Sequence, residues 1–147
     1  RHQPPVDLAR RDLSVDRYWT PLSMQADGHV LEPEQFYIFA TRERLRIPPE
    51  LCAELVAFDA TKGELRTHYA GFIDSGFGWS EADDGDGDGA KLVLEIRTHD
   101  VPFLLEHGQP LFRVEFMDNE ARPDLLYGQV GSHYQGQGLR LAKQFGS

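Results

Sequence analysis

The residues whose types and spacing could do chemistry are densest between Asp84 and Glu95. Asp84, Asp86 and Asp88 alternate, Gly89 follows, and Glu95 closes the stretch, which is the residue pattern of an EF-hand calcium loop. Alternating carboxylates converge on a hard cation, the glycine permits a sharp turn, and the last glutamate binds through both oxygens. The surroundings argue against it. An EF-hand needs a helix on each side. Here Gly76-Phe77-Gly78-Trp79 upstream is poor helix, Leu92 to Ile96 has the period of a strand, and Pro102 soon follows. Lys91 also takes a place that usually holds an apolar residue. The stretch reads better as an acidic, solvated Asp-Gly hairpin loop, with a calcium-binding module through Asp84–Glu95 as an alternative.

Glu95 also stands out alone, between Leu94 and Ile96 on the most apolar strand-like segment. By alternation it shares a face with Arg97 and meets water. Its apolar neighbours raise a second expectation, partial burial, which is the setting in which a carboxylate serves as a general acid–base near neutral pH. Other chemistries find little support. The six histidines show no HxH or HExxH spacing. There is no phosphate loop, no GxGxxG and no GxSxG elbow. Cys52 lies among Leu51, Ala53 and Leu55 and reads as a buried structural thiol.

These residues must be held by strands. Gln35 to Ala40 is aromatic and β-branched, and Glu54 to Phe58 reads as a second strand after the Pro48-Pro49 stop. Leu65 to Ile73 alternates loosely and ends in Asp74-Ser75-Gly76, a turn. Lys91 to Arg97, Val101 to Leu105 and Leu111 to Met117 complete the set. Val6 to Arg11 has room for a helical turn or two, and no long amphipathic helix is evident. Short strands punctuated by Pro, Gly and Asp predict an all-β barrel or sandwich with minor short helices. The chain reads as one domain over 1–147, with a loose segment at 1–12 and a glycine-rich tail at 131–147.

Composition narrows the function classes. The chain has 147 residues, 40% hydrophobic and 27% charged, which is globular composition with room for a core. The net charge of -9 is the wrong sign for a generic nucleic-acid binder. No apolar run reaches the ~18 residues of a membrane helix, and no signal-peptide core is visible. A single cysteine excludes an internal disulfide and any multi-cysteine metal site built from this chain alone. The expectation is a cytoplasmic protein without nucleic-acid or membrane partners. The start at Arg1 adds the expectation of a piece of a longer protein.

Several segments, in order, resemble the dCTP deaminases, of the same superfamily as the trimeric dUTPases. They are Phe36 to Thr41 with Ile47-Pro48-Pro49-Glu50-Leu51; His68-Tyr69-Ala70-Gly71-Phe72-Ile73-Asp74-Ser75-Gly76-Phe77-Gly78; Lys91-Leu92-Val93-Leu94-Glu95; Leu105 to Gln109 with Leu111 to Phe116; and Tyr134-Gln135-Gly136-Gln137-Gly138-Leu139. The resemblance implies a β-clip, or dUTPase-like distorted β-barrel, assembled as a trimer or pseudo-trimer with sites between subunits. It implies zinc-independent hydrolysis of dCTP to dUTP and ammonia, with no tightly bound cofactor and Mg2+ accompanying the triphosphate.

Residue by residue, Glu95 matches the family's catalytic glutamate and Asp74 its aspartate near the sugar. Ala70, Val93 and Leu94 match backbone contacts to base and sugar. Tyr127 matches a tyrosine near the phosphates and Gln137 the tail glutamine on the triphosphate. His133 stands where many members have lysine. The family's serine–arginine phosphate segment is replaced here by Ala57-Phe58-Asp59-Ala60-Thr61-Lys62-Gly63, and Phe72 replaces a frequent arginine. A long form of these enzymes resembles two fused halves, and this chain resembles its second half, paired with a missing N-terminal half or with copies of itself. The isolated piece is then expected to be inactive. A non-catalytic structural half of the same assembly is the nearest alternative.

Overall fold

The computed structural model describes residues 4–23, 25–57, 65–68, 71–81, 87–98, 100–129, 139 and 141–145. Its organising element follows from the two-residue period between Ala90 and Thr98. Strands place successive side chains on opposite faces. Along this segment Ala90, Leu92, Leu94, Ile96 and Thr98 are buried, whereas Lys91 and Val93 are half-buried and Glu95 and Arg97 exposed. Two apolar clusters divide the inner face between them. Ala90 and Leu92 join Ile47, Ala53, Leu55, Ile73 and Phe77 in one. Leu94 and Ile96 join Leu31 and Leu105 in the other. Half-buried Phe112 packs against both.

In chain order the elements are a short 3-10 turn at Val15–Arg17, then β1 (His29–Leu31), β2 (Phe36–Leu45), β3 (Leu51–Ala57), β4 (Leu65–His68), β5 (Phe72–Ile73), β6 (Ala90–Thr98), β7 (Phe103–Leu105) and β8 (Phe112–Asp118). They form three antiparallel sheets, in the orders β1-β7, β2-β6-β4 and β5-β3-β8. The fold is all-β, as the sequence predicted. The helical turn is not where the periodicity placed it. Residues 8 and 9 make only a turn, because the Asp7 carboxylate accepts the Ala9 N–H at 2.9 Å and draws the backbone out of a helical path.

Within 4–12, Arg10 donates two hydrogen bonds to Asp12, both 2.8 Å, which hold the exposed Asp12 carboxyl below its ordinary value. Farther along, the two ends of the chain meet. Leu13 bridges Phe145, and the Phe145 ring packs edge-on against Tyr18 and Trp19.

Two features fix β6 in place. Its pairing with β2 is interrupted by a bulge between Ala40 and Arg44. There the Leu92 N–H donates to Thr41 Oγ1 at 3.0 Å, so a side chain replaces the lost ladder partner. Arg44 then donates to the Gly89 carbonyl at 2.9 Å and pins the entry to the strand. The turn after β5 needs glycine. Gly76 has φ of 92°, and a Cβ there would lie 2.7 Å from the Leu126 Cβ.

Candidate functional site

Glu95 sits near the middle of β6, flanked by two strands in register. Ile38 of β2 is its Cα partner on one side and His68 of β4 on the other. The partial burial expected from Leu94 and Ile96 is not found. Those two side chains point into the core, at 3% and 0% exposure, while Glu95 points the other way and is exposed. Sequence neighbours on a strand are not spatial neighbours, so apolar flanks do not desolvate the residue between them. Two residues on, Arg97 lies over the Phe36 ring at 5.9 Å, and Trp19 packs against the same ring. The face around Glu95 thus carries a cation, aromatic rings and a carboxylate side by side.

Val93 and Leu94 occupy the two residues before Glu95. Val93 pairs with Ala40 and is half-buried, and Leu94 pairs with Phe39. With its side chain in the core, Leu94 has only its backbone to offer a ligand, which is the role the resemblance implied.

Asp74 follows β5 directly, and its side chain is exposed. The turn that follows is tied on every side. The Phe77 N–H donates to the Asp74 carbonyl at 3.1 Å, and the Ile47 N–H donates to the Phe77 carbonyl at 2.8 Å. The Gly76 N–H returns to the Ile47 carbonyl at 2.8 Å. Tyr127 is brought to the same turn. Its N–H donates to the Ser75 carbonyl at 2.8 Å, and its ring lies 5.3 Å from the Phe77 ring. Asp74 and Tyr127, 53 residues apart in sequence, are therefore joined through Ser75 and Phe77.

Ala70, His133 and Gln137 lie outside the described residues, as do Asp84, Asp86 and most of the Ala57-to-Gly63 segment. Asp88 is exposed just before β6. The strand occupies the place of an EF-hand's second helix. Among the described residues no group of three or more His, Cys, Asp or Glu is arranged to hold a metal ion. No helix among them is long and apolar enough to cross a membrane. Cys52 is half-buried rather than buried, because it pairs with Met117 on the outer face of β3 while Ala53 takes the inner one. At the place of the family's frequent arginine, Phe72 is 69% exposed.

A cavity of about 500 Å³ lies between β2, β6 and the turn that leads into β8, lined among others by Thr41, Arg42, Lys91, His107 and Gln109. Its lining contains none of Glu95, Asp74 and Tyr127. The cavity and the exposed carboxylates thus lie at different places, and the open face of β6 carries the outward glutamate that the sequence resemblance singles out. Sequence reading missed Thr41, Ser75 and Asn119, whose roles are polar contacts across many residues that no local period announces.

An antiparallel all-β chain, with an outward glutamate on the strand that joins two cores and an aspartate held at a clamped turn, defines a class. Residues 1–145 match the 2'-deoxycytidine 5'-triphosphate deaminase C-terminal domain, and the chain belongs to that family. The dCTP deaminase of Ignicoccus hospitalis is 26% identical over 140 residues, covering 94% of this chain and 70% of that protein. The dUMP-forming dCTP deaminase of Halobacterium salinarum is 29% identical over 143 residues, covering 93% and 67%. The crystal structure of the 2'-deoxycytidine 5'-triphosphate deaminase from Agrobacterium tumefaciens matches with a TM-score of 0.70 at 38% identity over 84% of this chain. This chain spans 36% of that one.

Proposed function

We propose that this chain is the part of a dCTP deaminase that supplies the catalytic glutamate. The observation that carries the reading is the position of Glu95. It is an outward carboxylate on the strand whose inner face is locked into both cores, and the sequence resemblance gives it the place of the family's glutamate. Glu95 takes a proton from water as the oxygen attacks C4 of the cytosine. Glu95 delivers that proton to ring N3, takes the remaining proton from the new C4 hydroxyl and passes it to the exocyclic amine, so the tetrahedral centre collapses to the C4 carbonyl as ammonia leaves. One carboxylate serves both steps because it is returned to its starting form. Backbone groups of Ala70, Val93 and Leu94 contact the base and sugar, and Asp74 meets the deoxyribose. Tyr127, His133 and Gln137 face the phosphates.

The Mg2+ arrives with the triphosphate as part of the substrate. The protein itself contributes no zinc to the reaction, since a positioned base on β6 takes the place of a metal-activated water. Glu95 is exposed in the single chain, and water would compete there. A second half, or further copies in a trimer or pseudo-trimer, covers the face and brings the missing serine and arginines. The net charge of -9 supports this division of labour, since a triphosphate needs cations this chain supplies poorly. The protein works on the cytoplasmic nucleotide pool.

The test is deamination of dCTP by the intact protein and by residues 1–147 alone, with ammonia and nucleotide products followed together. Turnover by the intact protein, with little or none from the fragment, is the expected outcome. A zinc-selective chelator in excess Mg2+ should leave the rate unchanged. Robust turnover by the fragment would end the two-half reading, and zinc-restorable loss would end the metal-free one. The same chromatogram reads whether the product is dUTP or dUMP.

A further inference from the structure

The turn behind Asp74 contains a polar network that the deamination chemistry does not itself require. Ser75 is only 7% exposed. Its hydroxyl donates to the Leu51 carbonyl at 2.7 Å and accepts a hydrogen bond from Asn119 Nδ2 at 2.8 Å. The same Asn119 Nδ2 donates its other proton to the Pro49 carbonyl at 3.0 Å, and the Asn119 N–H donates to the Glu50 carbonyl at 2.9 Å. Both amide protons of Asn119 are used, and so are the donor and an acceptor site of Ser75. The network joins three segments: the end of β8, the Pro48-Pro49 loop and the turn after β5. A part-buried network in which each of these donors has its acceptor rigidifies what it touches.

The residue it touches next is Asp74. On one side Asp74 is held by Ile73, which pairs with Ala53 in the sheet. On the other side it is held by Ser75, whose backbone carbonyl also receives Tyr127. The exposed Asp74 carboxylate therefore projects from a backbone fixed at both neighbours.

We infer that Ser75 and Asn119 are positioning residues, which set the Asp74 carboxylate for the sugar of the substrate. This rests on the deaminase reading above, which brings Asp74 to the deoxyribose. An ionised carboxylate only accepts hydrogen bonds, and the 3'-hydroxyl is the one hydroxyl donor a deoxyribose bound through its 5'-phosphate offers. Asp74 then distinguishes a nucleotide with a 3'-hydroxyl from one without, and the network sets how well it does so. A misplacement of about 1 Å by a remote change costs on the order of 100-fold in a well-oriented site.

The experiment uses the intact protein and an equimolar mixture of dCTP and 2',3'-dideoxycytidine triphosphate. The ratio of the two deaminated products gives the ratio of kcat/KM, and it does not depend on how much of the protein is folded. Wild type is expected to favour dCTP, and Asp74→Ala to abolish the preference. Ser75→Ala and Asn119→Asp should each cut the preference roughly tenfold or more, within the range for a misplaced group. Neither should change the ratio further in the Asp74→Ala background. Full preference in both single variants, or a loss that persists without Asp74, would overturn the inference. Deamination of dCTP by wild type without any preference would overturn the sugar role of Asp74 and the inference with it, while leaving Glu95 untouched. Absence of wild-type turnover would overturn the deaminase reading itself.

Discussion

Leu94 and Glu95 are consecutive on β6 and face opposite ways, Leu94 at 3% exposure in the core and Glu95 toward solvent. The relationship gives the site its rigidity. A carboxylate that must meet one atom of a substrate is best carried by a backbone that cannot shift, and the buried residues on either side supply that constraint. In the proposed reading the chemistry lies on one face of the strand and the packing on the other.

That separation predicts different consequences for neighbouring substitutions. Ile96 is fully buried at 0% exposure, in the cluster with Leu31, Leu94 and Leu105. Ile96→Ala should destabilise the fold by about 2–5 kcal/mol, and Ile96→Val by about 0.5–1.5 kcal/mol. Urea unfolding of the intact protein reads both. If Ile96→Ala proved as mild as a surface change, β6 would not be the spine described above.

The turn after β5 gives a backbone prediction. Gly76 is in the left-handed region at φ 92°, and an added Cβ would lie 2.7 Å from the Leu126 Cβ and 2.9 Å from the Tyr127 nitrogen. Gly76→Ala should cost more than about 1 kcal/mol through strain and crowding together. It should also pull Tyr127 away from Ser75, visible as a change in the near-ultraviolet dichroism of the tyrosines. An unperturbed spectrum with unchanged stability would contradict the close approach.

Much of this fold was legible in the sequence because alternation and turn residues are local signals. The two-residue period of Lys91 to Arg97 predicts a strand with Leu92, Leu94 and Ile96 on one face, and β6 has those faces and extends one residue farther at each end. The loose alternation from Leu65 to Ile73 predicts one strand, whereas the structure holds β4 and β5 there, in different sheets. Loose alternation does not say where a chain leaves one sheet for another. The short β1 escaped notice because His29-Val30-Leu31 is only three residues long and gains its order from pairing with β7, far along the chain. The site was legible only through resemblance. Nothing in the period of Glu95 distinguishes it from a solvated strand residue, and the clamp at Ser75 joins segments 44 residues apart.

The acidic stretch before β6 offers a contrast to Glu95. Asp84, Asp86 and Asp88 match a calcium loop in type and spacing, yet the chain continues as a strand rather than a helix. Changing all three to asparagine should leave the deamination rate of the intact protein nearly unaltered. Calorimetric titration of that protein with calcium should show no tight, saturable binding that the triple substitution removes. Loss of both calcium binding and activity on substitution would make the loop part of the site.

The decisive substitution is Glu95→Gln. The amide keeps the shape of the side chain, and Glu95 has no packing role because it is exposed on the outer face of β6. Fold and unfolding midpoint should therefore be those of wild type. Affinity for dCTP should also survive, since in the proposed reading Val93 and Leu94 act through their backbones and Asp74 and Tyr127 lie on other segments. What the amide cannot do is take a proton from water and pass one to the departing amine. General acid–base groups contribute roughly 100- to 10,000-fold. Here one group serves both transfers, so kcat of the intact protein should fall at or beyond that range while KM changes little. A preserved KM with a collapsed kcat is the signature of a group that acts in the transition state alone. Ammonia release under saturating dCTP measures it directly. If Glu95→Gln kept more than about a tenth of the wild-type rate, well short of the usual loss for such a group, Glu95 would be a solvated strand residue like Arg97. The base would then have to come from another part of the assembly.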